Sequence, residues 1–472
     1  MSVKTTRRGF LSASAVLIAG ASVIACASRS TGTNPVSPTA SSEQGVSPTA
    51  VPASTAAPTA AGAKPAGNTS PVLTAKVQIE VSIWGSWDSL YRKLSDNFEK
   101  QTPSVQVNIT SAPQATYHDR LLTRFVAHDF PDMAMIVDFE FSRFETPAFL
   151  RDLTAYVKDV SEWDISDPGY KWFYPTPAKF FTKAGKIYAM PNEVNPIGLA
   201  YNADLFKEAG IPNPHEQWKQ GTWTWNAFVE TAAKMTHGEG AAKVFGYTGA
   251  AEIWDLALRI WQNGGDIFNA DKTQVIVDQP AAYEAIQWYF DLFLKYHVAP
   301  ASLRSSDAAP MHYFPQGRVA MIEGSTWTRQ SLKDANVHWG VAPQPKKVAY
   351  ASWSGGSGYT ITTGSKSPDA AWKYIRYAVS EEGARFLLRN GSPGSAVIKA
   401  MESPDFLYAP PDNADDFLAM LKTAHPQPFI DKNHEFQDLW NKQMDLVASG
   451  KKTAQQATVD IKREVEPLLK GS

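Results

Sequence analysis

The chain has 472 residues, with 45 Lys and Arg against 47 Asp and Glu and a formal net charge of −2. So even a balance excludes a general nucleic-acid binder, which carries a basic surplus. Hydrophobic residues make up 43% of the chain, enough for sizeable cores, and the length calls for more than one of them.

The first 26 residues join Lys4, Arg7 and Arg8 to an apolar stretch from Phe10 to Ile24 and end in Val23-Ile24-Ala25-Cys26. A basic start, an apolar middle and a small-residue end make an export signal. Its last four residues resemble the lipobox of bacterial lipoproteins, in which the cysteine is lipidated and becomes the new first residue. Cys26 is the sole cysteine. An exported chain can form disulfides, so one cysteine at a signal boundary is better explained by lipid attachment than by structure. The alternative is an ordinary cleaved signal in which Cys26 is lost. Thr6-Arg7-Arg8-Gly9-Phe10-Leu11 resembles the twin-arginine export motif, although paired arginines also open general secretory signals. Removing Lys4, Arg7 and Arg8 moves the formal charge from −2 to −5. No later apolar run is long enough to span a bilayer, so the mature chain is expected outside the cytoplasm, held by its anchor.

Residues 27–74 are dominated by Ala, Ser, Thr and Pro and contain no aromatic residue. Such a segment cannot bury enough apolar area to fold and reads as a disordered spacer. From Val77 the texture changes to apolar periodicity, and all 15 tryptophans lie beyond it. Ile79 to Trp84 reads as a strand, and Trp87 to Lys100 as a helix with Leu90, Leu94 and Phe98 on one face. Val105 to Ile109 is a second strand, Tyr117 to Ala127 a helix, and Met133 to Val137 a buried strand closed by Asp138. Repeated βαβ units predict an α/β fold with a parallel sheet, whose ligand crevice lies at the carboxyl ends of its strands. The second half is richer in helix: Trp225 to Met235, Ala251 to Gln262, Pro280 to Tyr296, Pro368 to Leu388 and Phe436 to Ala448. Ser367-Pro368-Asp369 and Asp278-Gln279-Pro280 place proline at a first helical position.

In order along the chain come Ile79-Glu80-Val81-Ser82-Ile83-Trp84-Gly85, Asp129-Phe130-Pro131-Asp132-Met133, Ile187-Tyr188-Ala189-Met190-Pro191 and Leu199-Ala200-Tyr201-Asn202-Ala203-Asp204. Thr222-Trp223-Thr224-Trp225, Asn263-Gly264-Gly265 and Phe314-Pro315-Gln316-Gly317-Arg318-Val319 follow, before Gly324 and Trp327. This run resembles the family 1 extracellular solute-binding proteins, which include maltose- and glycerol-phosphate-binding types. The resemblance covers nearly everything from Val77 onward. It implies a two-lobed periplasmic-binding-protein fold with an interlobe hinge and ligand cleft. It places an N-lobe at 75–191 with 355–402 and a C-lobe at 192–350 with 412–472, crossing near 190–202, 343–355 and 402–412. It also implies a sugar-like ligand, mono- or oligosaccharide, delivered to the transmembrane subunits of an ABC permease by a monomeric binding protein without cofactor or metal.

Sugars present flat apolar faces and a rim of hydroxyls, so their sites need aromatic plates beside carboxylates, amides and backbone donors. Trp84, Gly85 and Trp87 follow the first strand. Trp327 follows Gly324-Ser325-Thr326, and Trp353 precedes Ser354-Gly355-Gly356-Ser357-Gly358, where Gly355 and Gly356 can present N–H groups. Asp138 and Glu140 follow the third strand; for Asp138 the plainer reading is a cap for a helix starting near Ser142. Glu193 and Asn195 lie in the first crossing, and Trp254 and Asp255 open a C-lobe helix. Trp223, Trp225, Trp288, Trp372 and Trp440 read as core. Ser395 stands where many relatives carry an arginine, which argues against a phosphate-bearing ligand.

A secreted glycan hydrolase is the competing class, with Asp138, Glu140 and Glu193 as possible partners in a carboxylate pair. Other chemistries lack their signatures: there is no Gly-x-Ser-x-Gly, no His-Glu-x-x-His and no phosphate-cradling Gly-x-x-x-x-Gly-Lys. The histidines show no metal-like spacing. A binding protein accounts for the whole pattern better, with no catalytic residue expected.

Overall fold

The computed structural model describes residues 76–158, 163, 172–300, 308–332 and 334–470. The expected signal, Cys26 and the spacer lie outside the described residues. Among the described residues no helix is long and apolar enough to cross a membrane.

The first lobe is built on a five-stranded sheet in the order Val105–Ala112, Val77–Trp84, Met133–Val137, Ser357–Ile361, Met190–Pro191. The first three strands run parallel and the last two pair antiparallel to their neighbours. Val81, Ile83 and Met133 to Ile136 are fully buried, as the continuous apolar runs of a sheet covered on both faces require. Helix Asp88–Gln101 lays Leu90, Tyr91, Leu94 and Phe98 on the sheet, and one turn of 3-10 helix, Gly85–Trp87, precedes it. Helix Gln114–Val126 does the same with Tyr117, Leu121 and Phe125.

The second lobe has a four-stranded sheet in the order Trp339–Ala342, Gly198–Asn202, Val319–Gly324, Phe245–Thr248. Helices Trp225–Met235, Ile253–Gln262, Pro280–Leu294, Asn433–Ala448 and Ala454–Leu469 surround it. Its core gathers Trp223, Trp225, Tyr247, Ile260, Tyr289, Phe436 and Trp440, separate from the core under the first sheet. Trp225 and Trp288 stack at 4.0 Å, and the Trp223 and Trp225 indoles donate to Pro343 O and Gln262 Oε1, each at 3.0 Å. These tryptophans are core, as expected.

A small third sheet joins segments that leave both larger sheets: Ser352–Gly355 pairs with Asn195–Pro196 and with Ala424–His425. Ser352 Oγ ties it further, donating to Ile197 O at 2.7 Å and accepting from Ile197 N at 3.1 Å. The segment 402–412, where a third crossing is expected, carries helix Pro404–Leu407, and the strand that joins this sheet follows at Ala424–His425. One expectation changes. Pro368 to Leu388 is two helices, Pro368–Ala378 and Glu381–Arg389, because the Ser380 side chain accepts from Gly383 N and starts the second. Ser380 followed by Glu381 and Glu382 is a helix-start signal inside an apolar period that reads straight through it.

Candidate functional site

Strand Val77–Trp84 ends in Trp84, strand Met133–Val137 leads into Asp138, and both open on the edge of the sheet that faces the second lobe. A cavity of ≈ 590 Å³ lies there, lined by Trp84, Trp87, Asp138, Glu140, Glu193, Asn195, Trp327, Trp353, Gly355 and Gly356. These ten candidates come from five separate stretches of chain. Gly85 does not line the cavity: it begins the 3-10 turn, and its backbone packs against the end of Val105–Ala112.

Each aromatic is held differently. Trp84 is 3% exposed, with its ring edge-on to Tyr117 at 5.8 Å, while Trp327 is 39% exposed at the start of helix Thr328–Ser331. Trp353 is half-buried and lies 6.2 Å from Trp254. The buried Nε1 atoms of Trp84 and Trp353 have no hydrogen-bond partner. A buried indole N–H without an acceptor is costly, and in a cavity wall it is a donor that a ligand oxygen can satisfy.

Asp138 does not cap a helix. Its carboxylate accepts from Phe139 N at 2.8 Å and from Gly356 N at 3.0 Å, which ties the first sheet to the Gly355-Gly356 turn. Glu193 accepts from Ser357 Oγ at 3.3 Å, with Asn195 adding a further hydrogen bond. Burial is the largest influence on both carboxyls, and it pushes each pKa up to about 7. For Asp138 the Glu193 charge adds to the rise. Asn195 Oδ1 also accepts from Thr326 Oγ1 at 2.5 Å, linking this segment to the loop that carries Trp327. Glu140 faces Arg143 at 2.6 Å and His434 at 3.7 Å.

Trp254 and Asp255 line an adjoining cavity of ≈ 520 Å³ that shares Gln114, Phe139, Trp327, Ser331, Trp353 and Gln427 with the first. Glu323 stands beside Asp255 there. Arg259, 2% exposed, reaches Glu323 at 2.5 Å, and Tyr247 OH donates to the same carboxylate at 2.9 Å. Burial and then the Glu323 charge hold Asp255 well above the usual carboxylate range. Ser395 stays out of both cavities and accepts from Val397 N at 3.1 Å.

Sequence reading missed His118, Glu323 and, above all, Gln427, which lines both cavities. His118 follows Tyr117 on a helix whose buried face was legible, yet nothing in the period marks it as facing a ligand. Gln427 sits in the irregular segment after Ala424–His425, with no motif around it. Among the described residues no group of three or more His, Cys, Asp or Glu is placed to hold a metal ion.

The chain is 25% identical over 321 residues to the maltodextrin-binding protein of Bacillus subtilis, covering 65% of this chain and 73% of that relative. It is 24% identical over 322 residues to the maltooligosaccharide ABC transporter solute-binding lipoprotein of Streptococcus pneumoniae strain R6, covering 66% and 72%. An ABC substrate-binding protein of Listeria monocytogenes, solved with cycloalternan, superposes with a TM-score of 0.74 at 24% identity, covering 84% of this chain and 100% of that one. At that identity the likeness speaks for the two-lobed fold. The family model described as bacterial extracellular solute-binding protein matches residues 84–385, and the chain belongs to that family.

Proposed function

We propose that this solute-binding protein captures a sugar in the cleft, closes its lobes around it and delivers it to an ABC permease. The observation that carries the reading is the convergence of Trp84, Trp327 and Trp353 with Asp138 and Glu193 on one cavity. Indole faces cover the apolar face of a pyranose, and the carboxylates and the unpartnered indole N–H groups match its hydroxyl rim. A ligand that touches both lobes favours the closed state by its differential affinity. The names of the relatives point the same way. The protein acts as a monomer, is tethered by lipid on Cys26, and is exported by the twin-arginine route. It releases its sugar unaltered.

Thermal melting against a panel of mono- and oligosaccharides tests this. A true ligand at 100 times its Kd stabilises the native state by about 2.7 kcal/mol. An unmoved melting temperature with every sugar overturns the reading, and chromatographic appearance of hydrolysis products would move the protein to the glycosidases.

A further inference from the structure

The cavity wall is acidic and carries no compensating charge at its centre. Among the described residues Asp119, Asp138, Glu140 and Glu193 line it, and no Lys or Arg does. Asp119 and Glu140 are already paired, with Arg143 at 2.7 and 2.6 Å. His118 is no substitute: burial, and then the Arg143 charge, lower its pKa to about 4, so it is neutral. Asp138 and Glu193 receive only uncharged donors, from Phe139 N, Gly356 N, Ser357 Oγ and Asn195.

An independent feature adds to this. Gln427 is 5% exposed, and its Oε1 is buried without a hydrogen-bond partner. A side chain built on Gly355 would meet Gln427 Nε2 at 2.6 Å, Asp138 Oδ2 at 3.1 Å and the Trp353 ring at 3.2 Å. The amide, the carboxylate and the indole therefore crowd one spot, which glycine keeps open. Gln427 Oε1 is thus an unmet acceptor beside the two buried carboxyls, on the same wall as the unmet indole donors of Trp84 and Trp353. The acidic lining continues into the adjoining cavity with Glu252, Asp255 and Glu323, whereas the cavity on the other side of Gln427 mixes Lys179 and Lys272 with Glu145, Asp271 and Asp431.

We propose that the sugar this cavity takes carries a basic nitrogen, an amino or imino group that is cationic when bound, seated between Asp138 and Glu193 within reach of Gln427 Oε1 and the Trp353 ring. The proposal rests on the sugar-capture reading above. A hydroxyl can donate to one of these acceptors, but a neutral sugar brings no counter-charge, so closing over it leaves the two carboxyls either protonated or sealed in as uncompensated anions. An ammonium supplies the missing charge and several N–H donors at once, and the indole face attracts it further.

Calorimetry at neutral pH with three matched pairs tests the proposal: glucosamine against glucose, galactosamine against galactose, and the β-1,4-linked glucosamine tetramer against cellotetraose. The comparison extends to the amine derivative of any sugar the panel identifies. The amine-bearing member is expected to bind about tenfold or more tighter than its partner. That ratio should collapse towards one in Asp138→Asn and in Glu193→Gln, each checked for folding by its melting curve. A neutral sugar that binds as tightly as its amine derivative, or a preference that survives both substitutions, overturns the proposal and leaves sugar capture standing. If no sugar of either kind binds, sugar capture itself fails, and the amine preference with it.

Discussion

Asp138 and Glu193 hold protons that an unfolded chain gives up. Burial raises them from ordinary values of 3.8 and 4.5 to about 7. A carboxyl whose pKa rises on folding stabilises the native state fully below its unfolded value, and that contribution fades as pH climbs through the folded value. The unliganded protein should therefore lose stability between about pH 4 and pH 7 and change little from these groups above that. The loss is at most on the order of 8 kcal/mol for the two together, since each tenfold change in proton affinity is worth about 1.4 kcal/mol. Chemical denaturation across that range checks it: the Asp138→Asn, Glu193→Gln double variant should flatten the slope, and an unchanged slope would assign it elsewhere. The tryptophans divide by the same burial argument. Trp84 is packed on Tyr117, so Trp84→Ala should cost about 3 to 5 kcal/mol of folding as well as binding. Trp327 is the most exposed of the plates, so Trp327→Ala should weaken sugar binding by about 1 to 3 kcal/mol and leave the melting temperature nearly unmoved. Equal melting losses in the two variants would show that Trp327 is a core residue.

The turn between Ser352–Gly355 and Ser357–Ile361 connects the hinge sheet to the first lobe, and at Gly356 the backbone leaves no room for a side chain. A Cβ there would come within 2.3 Å of Glu193 O, a main-chain atom of the neighbouring crossing that cannot swing aside. Gly356→Ala should thus displace Glu193 and break the Gly356 N bond to Asp138, removing sugar binding and lowering the melting temperature by several degrees; wild-type affinity would refute this. At this scale the sequence was most legible where one period rules a whole element. Met133 to Val137 and Trp225 to Met235 have the bounds read from their apolar spacing. It was least legible where a local signal competes with a period, as at Ser380, or where the chain is irregular, as at Gln427. Strand ends announced Trp84 and Asp138, and the glycine turn that follows it announced Trp353, because strand ends and glycine turns are visible in sequence. Gln427 reaches the same cavity through a pairing with Ser352–Gly355 that is remote in sequence, and no local pattern encodes it.

The small sheet of Asn195–Pro196, Ser352–Gly355 and Ala424–His425 links the two larger sheets, so relative motion of the lobes is expected to concentrate there, and contacts across the cleft decide how far it closes. One such contact already stands, His434 Nε2 at 3.7 Å from Glu140 Oε2, with a second from Lys183 Nζ to Asp431 Oδ1 at 3.8 Å. A sugar spanning Trp84 and Asp138 on one side and Trp327 on the other adds a ligand-dependent term and shifts the population towards closure. Small-angle scattering should accordingly show the radius of gyration falling when saturating sugar is added. Residues 27–74 carry reach and no recognition in this reading, so a protein lacking them should bind with the same affinity and show the same contraction. A tenfold loss of affinity on that deletion, about 1.4 kcal/mol, would mean the segment takes part in the site. The anchor separates from capture in the same way. Cys26→Ser should move the full-length protein from the detergent phase to the aqueous phase while its sugar affinity stays constant, and detergent partitioning that is the same for both proteins would remove Cys26 as the point of attachment.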